Sequence, residues 1–598
     1  MHFGGSSGDG TGNRMGLTGG NGTVDDGRLR RWGAVMLTAV SAAVAAPLSV
    51  AVASPGGPMV PVVVRGQSPA CTSAVADAVT SRGGRMTRTL DILGGGAATV
   101  PSGAVATLRS APCVAAVTPD GALAPASDGT YDPTADTGSL YNTTQAIGAQ
   151  VAWSQGYTGQ GVGVALIDTG VSRVQGLRGR GHVINGLDVS FDSQSSTLTH
   201  RDGDGHGTFM AGIIAGNDKF NAQSGSSQGN GNSRYAGDTR DFVGVAPDAH
   251  IVNVKIGDAN GVADVSQVIA AIDWVVQHRD DPGLNIRVLN LSYGTTSQQS
   301  YELDPLAFAT EVAWQSGIVV VAAAGNQGTG ANGLTDPAYD PYVIAVGAAS
   351  TNRSDATSDD TVAGFSSYGD GVRNPDVLAP GVHIESLRVA GSTIDQKYGS
   401  TATVAGRYFL GSGTSQAAAI VSGAAALLLD AQNMTPDQVK QALMQSASPL
   451  ASAPTAAQGA GEINVRAALA SRADGPAQTF VRSTGLGTLE ATRGGLHVVD
   501  TNGVALTGEQ DIFGNGWDSA AMAQAELSGT AWAGGTFNGA AWSGAAWSGA
   551  AWSGAAWSGA GWSGAGWSGA GWSGAAWSGA AWSGAAWSGA AWSDDTWS

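Results

Sequence analysis

Residues Gly161–Asp168 read GVGVALID, and residues Gly317–Asn326 read GIVVVAAAGN. Two further stretches share their character, IRVLNLSYG at Ile286–Gly294 and YVIAVGAAS at Tyr342–Ser350. Each is a nearly continuous apolar run, as expected of strands buried on both faces. Between them lie helical patterns, including Ala263–His278 and Asp304–Gln315. Thr435-Pro436-Asp437 opens another helix, with a capping hydroxyl followed by proline at the first position. The alternation of strands and helices over residues 140–472 predicts an α/β unit, a mostly parallel sheet with helices on both faces. Ligands of such sheets meet the carboxyl ends of the strands, so the residues ending these runs are the ones to inspect.

Outside this region the chain changes character several times. At 598 residues it is too long for one ordinary domain. A net charge of −18 argues against nucleic acid as a partner, because phosphate binding needs clustered Lys and Arg. Only Lys219, Lys255, Lys397 and Lys440 are lysines against a large arginine excess, which with the Ala and Gly bias hints at a GC-rich, bacterial genome. Arg28, Arg30 and Arg31 precede the apolar stretch Gly33–Ala53, which ends in Ala51-Val52-Ala53. Residues 1–53 therefore read as a signal peptide, the alternative being an uncleaved membrane helix. No other segment reads as long and apolar enough to span a bilayer. Cys71 and Cys113 are the two cysteines, and the oxidising conditions met by an exported chain let them pair.

Residues 54–125 read as a small α/β unit, with PVVVRG, TRTLDIL and VAAVTPDG as strands and TSAVADAVTSRGG and SGAVATLRSA as helices. A linker with a cut site is expected over residues 126–139, in the punctuated stretch APASDGTYDPTADTGS. The arrangement suits a propeptide, or an extra N-terminal domain. Residues 473–528 read as short alternating strands, with LHVVDTNGVALTGE a hairpin turned at Asn502-Gly503. Residues 529–598 repeat A-A-W-S-G, with tryptophan every fifth residue from Trp532 to Trp597 and Phe537 filling one slot. Five residues suit neither a strand face nor a helix stripe. The readings left are a coil of five-residue sides and a Gly/Ser-rich tail displaying indoles. Exposed indoles suit stacking on sugars, hence attachment to a cell envelope or polysaccharide.

Four stretches carry chemistry. Asp168 ends a buried run in ALIDTG, where a carboxylate commonly forms the turn. His206 stands between Gly205 and Gly207 in DGDGHGTFMAGIIAG, and such small neighbours leave a ring accessible. DGDGHG begins like an EF-hand loop, but the glutamate needed further on is absent. Asn326 ends VVVAAAGN, either as a turn former or with its NH2 aimed at developing negative charge. Ser415, in GSGTSQAAAI, either caps the helix that follows or is a nucleophile at that helix's positive end. Together the four supply acid, base, nucleophile and oxyanion donor for acyl transfer.

The order Asp, His, Ser in DTG, HGT and GTS resembles the subtilisin-like serine peptidases, the subtilases, over Leu140–Ala470. The resemblance implies that Asp168, His206 and Ser415 form the catalytic triad and that Asn326 completes the oxyanion hole with the Ser415 N–H. It also implies that Ser292, Tyr293 and Gly294 lie along the substrate backbone, and that Ala323, Ala324 and Gly325 wall the pocket for the residue before the cut. The N-terminal unit is similar to propeptides that assist folding and inhibit these enzymes until removed. Gln416 and Ala419 stand where the family has Met and Pro, and Phe209 where it often has His. None of these performs a proton transfer. A polar insertion, Asn217–Arg240, is expected as a surface loop beside the cleft. The chemistry requires no cofactor; structural calcium is common in the family, with no ligand positions implied here. The expectation is a secreted or envelope-associated bacterial serine endopeptidase made as a zymogen, acting on polypeptides and inhibited by its own propeptide. The rival is a surface-binding protein whose peptidase-like domain is inactive or self-processing only.

Overall fold

The computed structural model describes residues 58–119, 131–220, 235–330, 333–352, 358–471, 477–499 and 503–542, in two compact units divided after Leu123. The signal segment and the repeats beyond Trp542 lie outside the described residues.

The first unit runs β1 (Met59–Gly66), α1 (Thr72–Thr80), β2 (Arg85–Leu90), β3 (Gly95–Pro101), α2 (Val105–Arg109) and β4 (Val114–Pro119). Its strands pair antiparallel in the order β2-β3-β1-β4, a split β-α-β arrangement. Val62 and Val64 of β1 share a small core with Val75 and Val79 of α1. Cys71 and Cys113 form the disulfide expected of them. The sequence pattern does not announce β3, whose GGAATVP has few strand formers. It is a strand because β1 and β2 pair with it on both sides. Its glycines admit close backbone approach, a Cβ on Gly95 falling 2.2 Å from the Val64 carbonyl oxygen.

The second unit opens with two short helices, α3 (Leu140–Ala146) and α4 (Ala149–Ser154). Then come β5 (Gly163–Asp168), β6 (Val183–Asp188), α5 (His206–Ala215), β7 (His250–Lys255), α6 (Val265–His278), β8 (Ile286–Leu291), α7 (Pro305–Gln315), β9 (Val319–Ala323) and β10 (Ile344–Ser350). In the main sheet the order is β6-β7-β5-β8-β9-β10, all parallel. Every residue of β5 and β9 is buried, so both faces are covered. This is the expected parallel α/β architecture. From β5 the chain leaves towards β6 on one side, and from β8 towards β9 on the other. A crevice opens between such diverging connections, outside the carboxyl ends of β5 and β8.

The chain continues through β11 (Thr361–Val362), β12 (Val377–Pro380), β13 (Ile384–Leu387) and α8 (Thr393–Ala402) to α9 (Thr414–Ala431) and α10 (Pro436–Ser446). Among the described residues α9 alone is long and apolar enough to cross a membrane, contrary to the expectation that nothing beyond the N-terminal stretch qualifies. It is instead the central core helix, apolar all round and packed on β8, β9, β10 and α5. Thr435 caps α10 in a capping box with Gln438, as its sequence foretells.

Three boundaries differ from the expectation. Residues 131–139 are part of the second unit: Ser139 caps α3, the Gly138 carbonyl accepts from the Glu385 N–H at 2.8 Å, and the Tyr131 hydroxyl bonds Glu385. Among the described residues of 477–528 there are two helices, Leu489–Arg493 and Ser519–Leu527, and pairing only in isolated bridges; one of these, antiparallel between Val499 and Ala505 beside the Leu506 N–H bond to the Val498 carbonyl at 2.8 Å, brackets the hairpin expected about Asn502-Gly503. Leu489, Val498, Ile512 and Trp517 of that region belong to the same core as the sheet. Alternating hydrophobicity here reflects an extended segment lying on the sheet-and-helix body, which buries one side of it as a partner strand would. Finally, Trp532, Phe537 and Trp542 are buried, not displayed. A two-residue pair of strands, Thr536–Phe537 and Ala540–Ala541, stacks Phe537 against Trp542 with ring centroids 5.2 Å apart. The Trp542 indole N–H also donates to the Phe537 carbonyl at 2.8 Å.

Candidate active site

Asp168 is the last residue of β5, and its Oδ1 accepts from the Thr169 N–H at 2.8 Å. The same oxygen lies 2.7 Å from His206 Nδ1, and both side chains are buried. His206 is the first residue of α5, after Gly205 at φ +113°. The flanking glycines do not expose the ring, as the sequence suggested; they allow close packing. A Cβ on Gly207 would fall 2.2 Å from the Gly170 carbonyl oxygen, and one on Gly205 2.6 Å from Ser392 Oγ. Gly207 thus lets α5 begin directly against the turn that follows Asp168, and Gly205 lets it pass close to the start of α8.

A second carboxylate braces this pair. Asp202 accepts from Thr169 Oγ1 at 2.9 Å, the Gly205 N–H at 2.6 Å and the Thr208 N–H at 2.7 Å, while Thr169 Oγ1 takes the Gly207 N–H at 2.9 Å. Burial pushes the Asp202 carboxyl above the usual carboxylate range, against the pull of these donors. Burial, and then the nearby Asp202 charge, hold Asp204 well above it. In the sequence DGDGHG reads only as a rejected cation loop, and this bracing is not among the expectations. Its signal was available: an aspartate a few residues ahead of a helix start is a cap-type acceptor of backbone N–H groups.

Ser415 is the second residue of α9, and Gly413 occupies the cap position without any side-chain cap bond. The capping explanation for Ser415 therefore fails. Its Oγ lies 3.5 Å from the carbonyl oxygen of Ser292, the first residue beyond β8. Since Leu291 pairs with Ile167, that carbonyl stands beside the end of β5. α5, which begins with His206, and α9, whose second residue is Ser415, pack on one another. The Ser415 N–H precedes the first bond inside α9, made by the Ala417 N–H to the Gly413 carbonyl at 3.4 Å. Asn326 follows β9, and its Oδ1 accepts from both the N–H and the hydroxyl of Thr414, at 2.9 and 2.8 Å. With the oxygen so held, the amide NH2 faces away from Thr414.

The expected substrate residues lie on adjacent strand ends, Ser292–Gly294 after β8 and Ala323–Gly325 closing β9. Gly325 has φ +107°, a conformation that requires glycine, and its N–H donates to Thr414 Oγ1 at 3.3 Å. Beside Tyr293–Thr295, an apolar recess is lined by Val265, Val268 and Leu306, together with Leu496 and Val498 of the C-terminal region. The insertion expected beside the cleft begins at Asn217, after the carboxyl end of α5, roughly 15 Å along the helix from His206. Its residues 221–234 lie outside the described residues. Among the described residues no cluster of three or more His, Cys, Asp or Glu could hold a metal ion.

Comparison with known proteins agrees with this geometry. Residues 159–487 match the Subtilase family, and residues 39–120 match a family described as "Putative peptidase inhibitor domain". The chain is 36% identical over 317 residues to Serine protease AprX of Bacillus subtilis (strain 168), spanning 52% of this chain and 66% of that one. Subtilisin E of the same organism is 33% identical over 396 residues, 66% of this chain and 85% of the relative. Subtilisin of Bacillus pumilus is 35% identical over 326 residues, 54% and 96% of the two chains. A buried Asp–His pair, a serine at a helix start and a family match over more than half the chain lead to one assignment: the chain belongs to the subtilase family of serine peptidases.

Proposed function

We propose that the protein is a secreted serine endopeptidase, made as a zymogen, in which Asp168, His206 and Ser415 act as the triad. The observation that carries the reading is the 2.7 Å bond between Asp168 Oδ1 and His206 Nδ1, buried and braced by Asp202. That bond would orient the imidazole so that Nε2 takes the proton of Ser415, and would stabilise the imidazolium that results. The freed oxygen would attack the substrate carbonyl, and the His206 proton would then pass to the leaving amine. The Ser415 N–H and the Asn326 NH2 would hold the oxyanion. No described residue bonds the backbone of Tyr293 or Gly294, which supports an extended substrate adding alongside them as a strand. Hydrolysis of casein by purified protein and by Ser415→Ala tests the assignment. We expect at least a thousandfold loss; equal turnover would remove it.

The match of residues 39–120 to an inhibitor-domain family supports the N-terminal unit as an inhibitory propeptide. Because residues 131–139 are anchored in the peptidase unit, the cut belongs at residues 120–130, and mass spectrometry of the mature N-terminus checks this. The relative named Minor extracellular protease Epr, 33% identical over 302 residues, supports secretion. Attachment through the repeats is tested by removing residues 543–598. The truncation spares Trp532, Phe537 and Trp542, which belong to the core. Unchanged partitioning between medium and cell envelope would count against attachment.

A further inference from the structure

We infer that Glu385 is an acid-closed lock on the strap formed by residues 131–139: protonated, it holds the strap down, and ionised, it lets the strap lift. The lock lies apart from the catalytic groups and works whether or not the chain hydrolyses peptides.

Glu385 lies in β13 and is 1% exposed. Two bonds join it to the strap. Its N–H donates to the Gly138 carbonyl at 2.8 Å, and the Tyr131 hydroxyl donates to its Oε1. Gly138 lies so close to the His383 carbonyl that a Cβ there would collide with it. The second carboxyl oxygen, Oε2, is buried with no hydrogen-bond partner among the described residues, and Asp136 of the strap acts on the group as a negative charge. A protonated Oε2 meets that charge as a donor. An ionised one meets it as a like charge, away from water. The neighbouring charges are already engaged. Arg407, just before the strand Tyr408–Gly411 that pairs with β13, donates to Asp218 at 2.8 Å and to the Tyr408 hydroxyl at 3.1 Å. Asp132 of the strap accepts from the Thr134 N–H at 2.9 Å. α3 and α5, packed on β13, carry Tyr141 and His206 as their titratable residues, and His206 is bonded to Asp168.

Burial pushes the Glu385 carboxyl up to about 8; the Tyr131 hydroxyl pulls it down, and the Asp136 charge raises it again. Once the strap lifts, the carboxyl is wetted and ionises near its ordinary value of about 4. The lock is therefore whole below about pH 4, weakens as pH climbs, and is spent above the value of the closed form. Tyr131 and Pro133 of the strap also wall a cavity of about 290 Å³, lined elsewhere by Leu140, Trp153, Phe242 and Tyr408. Lifting the strap uncovers this aromatic recess.

The test is hydrogen exchange of full-length Ser415→Ala, read by mass spectrometry at pH 5 and pH 8.5. Each rate is divided by the intrinsic amide rate at that pH. Peptides covering residues 131–139 and the Glu385 amide are expected to lose protection by about a hundredfold or more, since opening grows by up to about tenfold per pH unit within this interval. Amides of β9 should lose far less. Glu385→Gln keeps an acceptor for the Tyr131 hydroxyl but cannot ionise, and its strap protection should stay within about threefold. Should that variant fail to fold, Asp136→Asn carries the test: it removes the like charge, so its loss should be smaller than that of the parent. A parent strap whose protection does not change with pH would overturn the inference. So would a loss of the same size in β9, or a loss as steep as the parent's in the folded glutamine or asparagine variant.

Discussion

Asn326 illustrates how one side chain is aimed by its neighbours. Thr414 donates twice to its Oδ1, so the amide cannot rotate without losing two hydrogen bonds. On the proposed mechanism the NH2 would meet an oxyanion that exists only as the carbonyl is attacked. A group that binds the transition state and not the substrate changes kcat and leaves KM alone. Asn326→Ala is therefore expected to lower kcat by about 10²–10³ with KM nearly unchanged, the range being the one established for the asparagine donor of subtilisin itself. A loss seen only in KM would contradict the role. Asp202 is the corresponding finding beneath His206. It collects N–H groups of the loop and first turn from which α5, the helix that begins with His206, starts.

Among the elements, α6 shows how the C-terminal region became part of the peptidase. Asp264 caps α6 by accepting from the Ser266 N–H at 3.0 Å, in a capping box with Gln267. Arg493, at the end of the Leu489–Arg493 helix, donates to Asp264 Oδ2 at 2.7 Å, and neither side chain is exposed to solvent. Arg493 also donates to the carbonyls of Gly508 and Gln510 at 2.7 and 2.5 Å. Burial works to raise the Asp264 carboxyl, and the charge and hydrogen bonds of the paired guanidinium overcome it, so the group lies below its usual range. Arg493→Ala would leave a buried carboxylate uncompensated and is expected to cost about 3–5 kcal/mol in urea unfolding. A cost under about 1 kcal/mol would mean that the ion pair does not hold the region in place. The variant should also loosen the recess beside Tyr293, since Leu496 and Val498 lie just beyond the same helix.

Taken over the full length of the peptidase unit, buried carboxyls set the pH response. Burial pushes Glu311 and Glu385 up to about 8, and Asp258 and Asp340 up to about 7. Each of these groups binds its proton more tightly in the folded chain than in the unfolded one. Their contribution is whole below the unfolded value near pH 4 and is lost as pH climbs towards 7–8. Self-repulsion at a net charge of −18 acts in the same direction. Tm measured on Ser415→Ala, chosen because the proposed mechanism leaves it unable to digest itself, should be higher at pH 5 than at pH 8.5 by on the order of 5 °C. A higher Tm at pH 8.5 would refute the account. Catalysis needs an unprotonated imidazole, so the conditions favouring stability and turnover diverge.

The parallel sheet, its helices, and the Asp, His and Ser motifs were legible in the chain because each rests on residues a few positions apart. GVGVALID and GIVVVAAAGN can be buried on both faces in only a few ways, and Thr435-Pro436 starts a helix by local chemistry alone. Other features depend on partners far away in the chain. Ser415 stands inside its helix because Asn326, 89 positions earlier, claims the donors of Thr414. GGAATVP is a strand because two other strands flank it. Residues 131–139 and Arg493 belong to the peptidase because Glu385 and Asp264 receive them, and Trp542 is buried because Phe537 and the core beneath it exclude water. Such contacts close long loops, and their worth depends on the shape of the surface met at the other end. No local pattern records that shape, so it emerges only when the chain has packed.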